Sequence, residues 1–379
     1  MYMKRRVPRF FLSLLFLSVF PFAIFASDQA SKYFATAMRF AEAGQYQKAV
    51  FTFQRAIEAR QDYPEAYYNM AVALEKLDRT DEAIVAYQET IKLKPSYSGA
   101  YINLGNIYLL RKENDKATDL YSQGLKIAPD SFALTYGKGR ALFQGKNMKE
   151  AEQWFKKTTE LAPKWGEGFF MLGVTSGRQK KYDAAFKAYE KAVELAPSHA
   201  EAHFNLGALW GRKGDRGKEI AYYQKAIELN PQFYLAYYNL GTARAQLGKT
   251  EEAIDAFKKA IEIEPRYSYS WNNLSSLYVR TKQYSLAEEA AQEALSLKKQ
   301  FPMALNNLGL ARIGLKKYSE AVKAFEEAIS LAPQYAEPHF GLGLVWALKG
   351  EKEKAVNEVE NLRSLNSSLA DQLKALLNQ

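Results

Sequence analysis

Apolar residues recur along this chain at the three- and four-residue spacing of a helix with one buried stripe, and no segment reads as a strand. A longer period overlies the first. A unit of 34 residues begins at Ala30, Pro64, Ser98, Phe132, Gly166, Ala200, Tyr234, Ser268, Pro302 and Ala336. A unit of this length holds two short helices and cannot bury its own apolar face, so neighbours must stack. At about 100° per residue, positions four, seven, eight and eleven of the first helix gather on the core side. Positions two, six, nine and thirteen lie opposite, with five and twelve on a shoulder.

Recurring columns predict how the helices meet. Position eight is always small: Ala37, Ala71, Gly105, Gly139, Gly173, Gly207, Gly241, Ser275, Gly309 and Gly343. Glycine inside a helix costs about 1 kcal/mol against alanine, so close packing must justify it. Position twenty is alanine in every copy except at Glu219. Position twenty-four carries Phe53, Tyr87, Tyr121, Phe155, Tyr189, Tyr223, Phe257 and Phe325, rings that each stabilise by about 1.5–3 kcal/mol when buried. Prolines such as Pro95, Pro197 and Pro333 at position thirty-two end the second helix. Gly44, Gly214, Gly248 and Gly350 mark the stop of the first helix.

The run Tyr237, Leu240, Gly241, Ala253, Phe257, Ala260, Pro265 resembles the tetratricopeptide repeat, as does Trp271, Leu274, Tyr278, Ala287, Ala294. The resemblance spans ten units, residues 30–365. It implies an all-α superhelix of antiparallel helix pairs, the first helix of each pair lining the concave side. It names no partner, because the motif residues are packing residues. Tetratricopeptide proteins that clamp a chaperone's terminal carboxylate carry lysine at position five. Here position five is aromatic or neutral and position six never basic, so that clamp is absent.

Residues 1–26 are a separate object. Lys4, Arg5, Arg6 and Arg9 precede an apolar run from Phe10 to Phe25, and Ala26 offers a cleavage site, which reads as a signal peptide. An uncleaved signal anchor, tethering the protein through residues 10–25, is the alternative. Either way the repeats are expected outside the cytoplasm, in a periplasm or its equivalent. Net charge is +10, of which those four residues carry four, leaving +6 dispersed over the repeats. No nucleic-acid partner is expected from so mild a balance. The chain has no cysteine, which removes thiol chemistry and Cys-ligated metals. His199 and His203 are four apart, but the intervening residues are not those of a zinc protease, and no phosphate loop or nucleophile elbow appears. The reading is therefore non-enzymatic, with no cofactor and no metal.

Binding is expected on the face opposite the core. Position six holds Asn69, Asn103, Asn205, Asn239, Asn273 and Asn307, broken by Gly137 and Met171 and absent at Ala35 and Gly341. This is similar to the asparagine ladder of the O-linked N-acetylglucosamine transferase family, without its catalytic domain. Primary amides in a row can hydrogen-bond an extended backbone. Rings at position five, among them Tyr68, Tyr136, Phe170, Phe204 and Tyr238, form a shoulder beside the ladder. With Arg140, Arg178 and Arg212 they make the central repeats the expected site. The same rings serve equally as helix-pair packing, and the arginines suit the helix dipole without any ligand.

Two departures and the chain's last helix complete the reading. Lys138 occupies a core position, where its stem packs and its ammonium snorkels out. Glu219 replaces the small residue at position twenty, with Arg244 as candidate partner. Residues 366–379 form a capping helix, with Ser368 and Asp371 as a capping-box variant and Leu369, Leu373, Leu376 and Leu377 as its apolar face. The expected function is a scaffold holding a partner protein or extended peptide in the groove. The alternative is a membrane-anchored assembly factor that docks an envelope complex through its outer face.

Overall fold

The computed structural model describes residues 29–378, and the segment read as a signal, residues 1–26, lies outside them. Twenty-one α-helices and no strand occur among the described residues. The chain divides into two compact units, Met1–Trp154 and Phe155–Gln379. The first holds α1 (Gln29–Glu42), α2 (Tyr46–Ala59), α3 (Pro64–Lys76), α4 (Thr80–Leu93), α5 (Ser98–Leu110), α6 (Asn114–Ile127), α7 (Phe132–Gln144) and the start of α8 (Met148–Leu161). The second continues with α9 (Gly166–Arg178), α10 (Tyr182–Leu195), α11 (Ala200–Lys213), α12 (Arg216–Leu229), α13 (Tyr234–Gln246) and α14 (Thr250–Ile263). It ends with α15 (Ser268–Arg280), α16 (Tyr284–Leu297), α17 (Pro302–Gly314), α18 (Tyr318–Leu331), α19 (Ala336–Leu348), α20 (Lys352–Leu365) and α21 (Ser367–Leu377). Apart from α1, which begins one residue early, the first helix of each unit starts at the residue the 34-residue period names. No helix among the described residues is long and apolar enough to cross a membrane.

Ring-on-backbone packing explains the small columns. In the first unit Phe53, Tyr87 and Tyr121 are fully buried. A Cβ on Gly105 would lie 2.6 Å from the Tyr121 ring, so glycine is what lets that ring reach the α5 backbone. In the second unit Gly207 meets Tyr223 in the same way, at 2.8 Å. The burial of each ring more than offsets the propensity lost to glycine.

The turn inside each hairpin is more uniform than the four glycines predict. Position fifteen is left-handed throughout: Gly44, Gly214, Gly248 and Gly350 have φ of 71–83°, and Asp78, Lys112, Lys146, Lys180, Lys282 and Lys316 have φ of 58–66°. In the latter six an ordinary residue bears roughly 1–2 kcal/mol of steric cost. Paired C-terminal hydrogen bonds hold it there: the Lys112 N–H donates to the Leu109 carbonyl at 3.1 Å and the Glu113 N–H to Tyr108 at 2.9 Å. At the other end of the hairpin, Lys94 N–H gives the last bond of α4, to Thr90, and Pro95 follows with no donor to continue the helix.

The closing helix α21 packs on α19 and α20. Its N-cap is Asn366, whose side chain accepts from the Leu369 N–H at 3.2 Å, so the expected Ser368–Asp371 box is not the cap used. Leu373 is fully buried and lies against Gly343, whereas Leu376 points outward, 46 % exposed, and leaves the expected apolar face.

Candidate peptide-binding face

The position-five rings are held from two sides. Tyr68 lies 5.7 Å from Tyr87 and 4.7 Å from Tyr97. Phe204 meets Tyr223 at 5.6 Å and Phe233 at 4.8 Å, and Tyr238 meets Phe257 at 5.8 Å and Tyr267 at 5.2 Å. Phe170 repeats the pattern with Tyr189 and His199. Each trio joins positions five, twenty-four and thirty-four, and the last of these escaped the sequence reading although it is aromatic at Tyr63, Tyr97, Trp165, Phe233, Tyr267, Phe301 and Tyr335. Tyr68 is buried by its trio, while Tyr136, Phe170, Phe204 and Tyr238 are half-buried. Burial raises the pKa of Tyr68 and Tyr238 above the ordinary phenol value, so both hydroxyls stay protonated donors.

The asparagine ladder is tied into the preceding repeat. Asn103 Nδ2 donates to the hydroxyls of Tyr68 and Tyr87, both at 3.1 Å. The Tyr87 hydroxyl gives its own proton to Glu75, so it can only accept from Asn103, which fixes the amide orientation. Burial first, and then the Glu75 charge, push the Tyr87 pKa well up, and burial also raises Glu75. Asn273 donates to Tyr238 at 3.4 Å, and Asn239 bonds Tyr223. Asn69 turns back to the Glu65 carbonyl at 2.7 Å. Asn307 is buried and donates to Asn272, so it does not reach the face. The break at Gly137 has the same cause as the bonds: a Cβ there would lie 2.5 Å from the Tyr121 ring of the preceding repeat. Tyr121 donates instead to Asn106 at 3.0 Å. Both donors of Asn103 and one of Asn69 are thus occupied, and their side-chain oxygens make no hydrogen bond among the described residues.

The arginines separate. Arg140 lies over the Tyr136 ring at 5.7 Å, whereas Arg212 is exposed and sits over Tyr182 at 3.8 Å. Arg178 is also exposed, at the end of α9. In the first unit a hollow of about 340 Å³ opens between α1 and α3, lined by Ala41, Glu42, Tyr46, Asn69, Val72 and Lys76. It combines an amide, both charge signs and an apolar floor. Lys138 sits over Trp154 at 4.2 Å, its ammonium resting on a ring.

Glu219 does not pair with Arg244. It is buried and bound by Arg216 at 2.5 Å, one turn earlier on α12, while Arg244 pairs with Glu252 at 3.2 Å. The short i,i+3 reach within a helix wins over a partner in the next repeat. Glu288 is the other buried carboxylate in an ion pair with arginine among the described residues. Burial alone would raise its pKa, but Lys317 at 2.7 Å and Arg312 at 3.0 Å hold it low. His199 lies 3.2 Å from Glu167 and 3.3 Å from Glu201. Burial opposes its protonation, yet the two carboxylates outweigh it and lift the pKa to about 9. No group of His, Asp and Glu able to hold a metal occurs among the described residues.

Models of the tetratricopeptide repeat match residues 64–97, 102–164, 200–233, 234–267, 256–289 and 302–335, and a TPR repeat model matches residues 39–78 and 178–214. No curated protein matches the chain. Among solved structures it is similar to MamA, at 28 % identity over 43 % of this chain and 95 % of that one, with a TM-score of 0.40. It is also similar to YrrB, described as a TPR protein with an unusual peptide-binding site, at 27 % identity over 48 % and 95 %, with a TM-score of 0.43. The Cut9 and Hcn1 hetero-tetramer of the APC/C covers more, 92 % of this chain and 76 % of its own, at 16 % identity and a TM-score of 0.50, a likeness of fold alone. The chain carries multiple tetratricopeptide repeats and has the all-helical solenoid fold of stacked helix pairs that such repeats build.

Proposed function

We propose that this protein is a non-enzymatic scaffold that holds a partner protein or extended peptide on the face of its first helices, outside the cytoplasm. The observation that carries the reading is the hollow beside Asn69. Its apolar floor of Ala41 and Val72 takes a side chain, and Asn69 leaves a carbonyl oxygen for a backbone N–H. Glu42 and Lys76 at the rim fix the direction of the segment. The basic residues before the apolar run at 10–25 support export.

A second reading rests on Phe51 and Val85, 62 % and 59 % exposed at the same position of α2 and α4. Exposed apolar side chains at equivalent positions of successive hairpins favour docking through the outer face. A displayed random-peptide library panned on the full chain separates the two. Selected peptides should lose about tenfold in affinity with Asn69→Ala and Lys76→Ala combined, and little with Phe51→Ser and Val85→Ser. The opposite pattern assigns binding to the outer face. Amino-terminal sequencing of the protein recovered from each cell fraction tests the export.

A further inference from the structure

The ends of α9 and α11 and the turns that follow them carry a charge concentration that the average over the chain hides. Residues 178–183 and 212–219 hold seven Lys and Arg against Asp183, Asp215 and Glu219, the last of which pairs with Arg216. Stacking brings the two turns together: Arg212 lies 3.8 Å over the Tyr182 ring and Lys213 3.8 Å over Phe186, both from the preceding hairpin. Lys218 lies 3.9 Å over Trp210, which meets Phe186 edge-on at 5.0 Å. Arg212, Lys213 and Lys218 are all exposed.

At four other hairpin edges a cation pairs with a carboxylate. Arg111 pairs with Asp81 at 2.6 Å, Lys249 with Glu252 at 3.2 Å, Lys317 with Glu288 at 2.7 Å and Lys354 with Glu351 at 2.6 Å. Arg212 and Lys213 have rings in place of carboxylates, and Lys218 has only a loose contact with Asp215 at 3.6 Å. An aromatic face orders a cation without cancelling its charge. These groups are therefore held in position and still seek an anion.

We propose that this edge binds an acidic polypeptide segment, one rich in Asp or Glu, laid across the two turns. Two adjacent hairpins offer a narrow strip, about 10 Å from one helix to the next, which suits a strand of polypeptide better than a bilayer surface. The inference rests on the protein-binding reading above and names the charge of one partner segment.

The test uses the full chain and fluorescence anisotropy with a labelled oligoglutamate peptide and an oligoglutamine peptide of equal length. The wild type should bind oligoglutamate at least about tenfold more tightly, and the preference should fall as salt rises. Arg212→Gln, Lys213→Gln and Lys218→Gln combined should lose about tenfold. Lys249→Gln, Lys282→Gln and Lys316→Gln combined, with the same change in net charge at other edges, should lose less than about threefold. Thermal melts check that both variants fold, and Arg212→Lys with Lys213→Arg should keep the affinity. Equal losses in the two triple variants, or no binding of oligoglutamate by the wild type, overturn the proposal. So does binding to vesicles containing phosphatidylserine that depends on the first triple while oligoglutamate does not bind. If oligoglutamate does not bind while library peptides bind near Asn69, the edge proposal fails and the general reading stands. If no peptide binds anywhere, the general reading fails too.

Discussion

Removing Arg216 should cost more than removing the ion pair it belongs to. The Glu219 side chain is 10 % exposed and that of Arg216 34 %, and their nearest atoms are 2.5 Å apart. The carboxylate sits where other repeats have alanine, and a Cβ on Gly211 would lie 2.5 Å from it, so there is little room for water to enter. Stranding one charge of a fully buried pair costs about 3–5 kcal/mol. Here the arginine is one-third in water, and Tyr223 retains a hydrogen bond to Glu219. Those two features reduce the expected cost of Arg216→Ala to about 2 kcal/mol. Adding Glu219→Ala restores the small residue of the column and should return about 1 kcal/mol or more of that loss. Urea unfolding followed by far-ultraviolet circular dichroism measures the wild type, both single variants and the double variant, with the slope on urea checked for constancy. A double variant no more stable than Arg216→Ala alone would refute the stranded-carboxylate argument.

Asn103→Ala removes two bonds to the preceding repeat and should cost about 1–2 kcal/mol, whereas Asn205→Ala should stay within about 0.5 kcal/mol, since Asn205 makes no hydrogen bond among the described residues; chemical denaturation compares them. Lys112→Gly relieves a left-handed lysine and should leave stability unchanged or raise it by up to about 1 kcal/mol, while Gly248→Ala should lower it by about 1 kcal/mol. For His199, the folded pKa of about 9 stands above the ordinary 6.5, so its contribution is complete below pH 6.5 and lost as pH rises through 9. The melting temperature of the wild type should therefore fall across that window more than that of His199→Gln. Leu373→Ala empties a fully buried site under the closing helix and should cost about 3 kcal/mol by the same denaturation measurement.

The period of 34 residues made the start of nearly every first helix legible, because stacking imposes the same small and aromatic columns on each hairpin. What it did not make legible are contacts between one hairpin and the next. The ladder asparagines look like a free row when read down position six, yet Asn103 reaches back 35 residues to Tyr68 and 16 to Tyr87. The left-handed turn was visible only where glycine marks it, because lysine at the same place is held by hydrogen bonds its own identity does not announce. Glu219 was paired with a residue in the next repeat, although Arg216 three positions away has the shorter reach.

The basic edge shows how an average misleads in the same way. Spread over the repeats, a net charge of +6 carries no message, and no nucleic-acid partner is expected from it. Stacking sets residues 178–183 beside 212–218, and the aromatic residues between them hold the cations without discharging them. The field that an incoming segment meets is set by this local crowding, screened beyond about 8–10 Å. A chain with the same composition but carboxylates at these two turns would fold as well and present no such strip. The edge is therefore a feature the fold tolerates rather than requires, and exchanging its charges tests binding with little disturbance to stability.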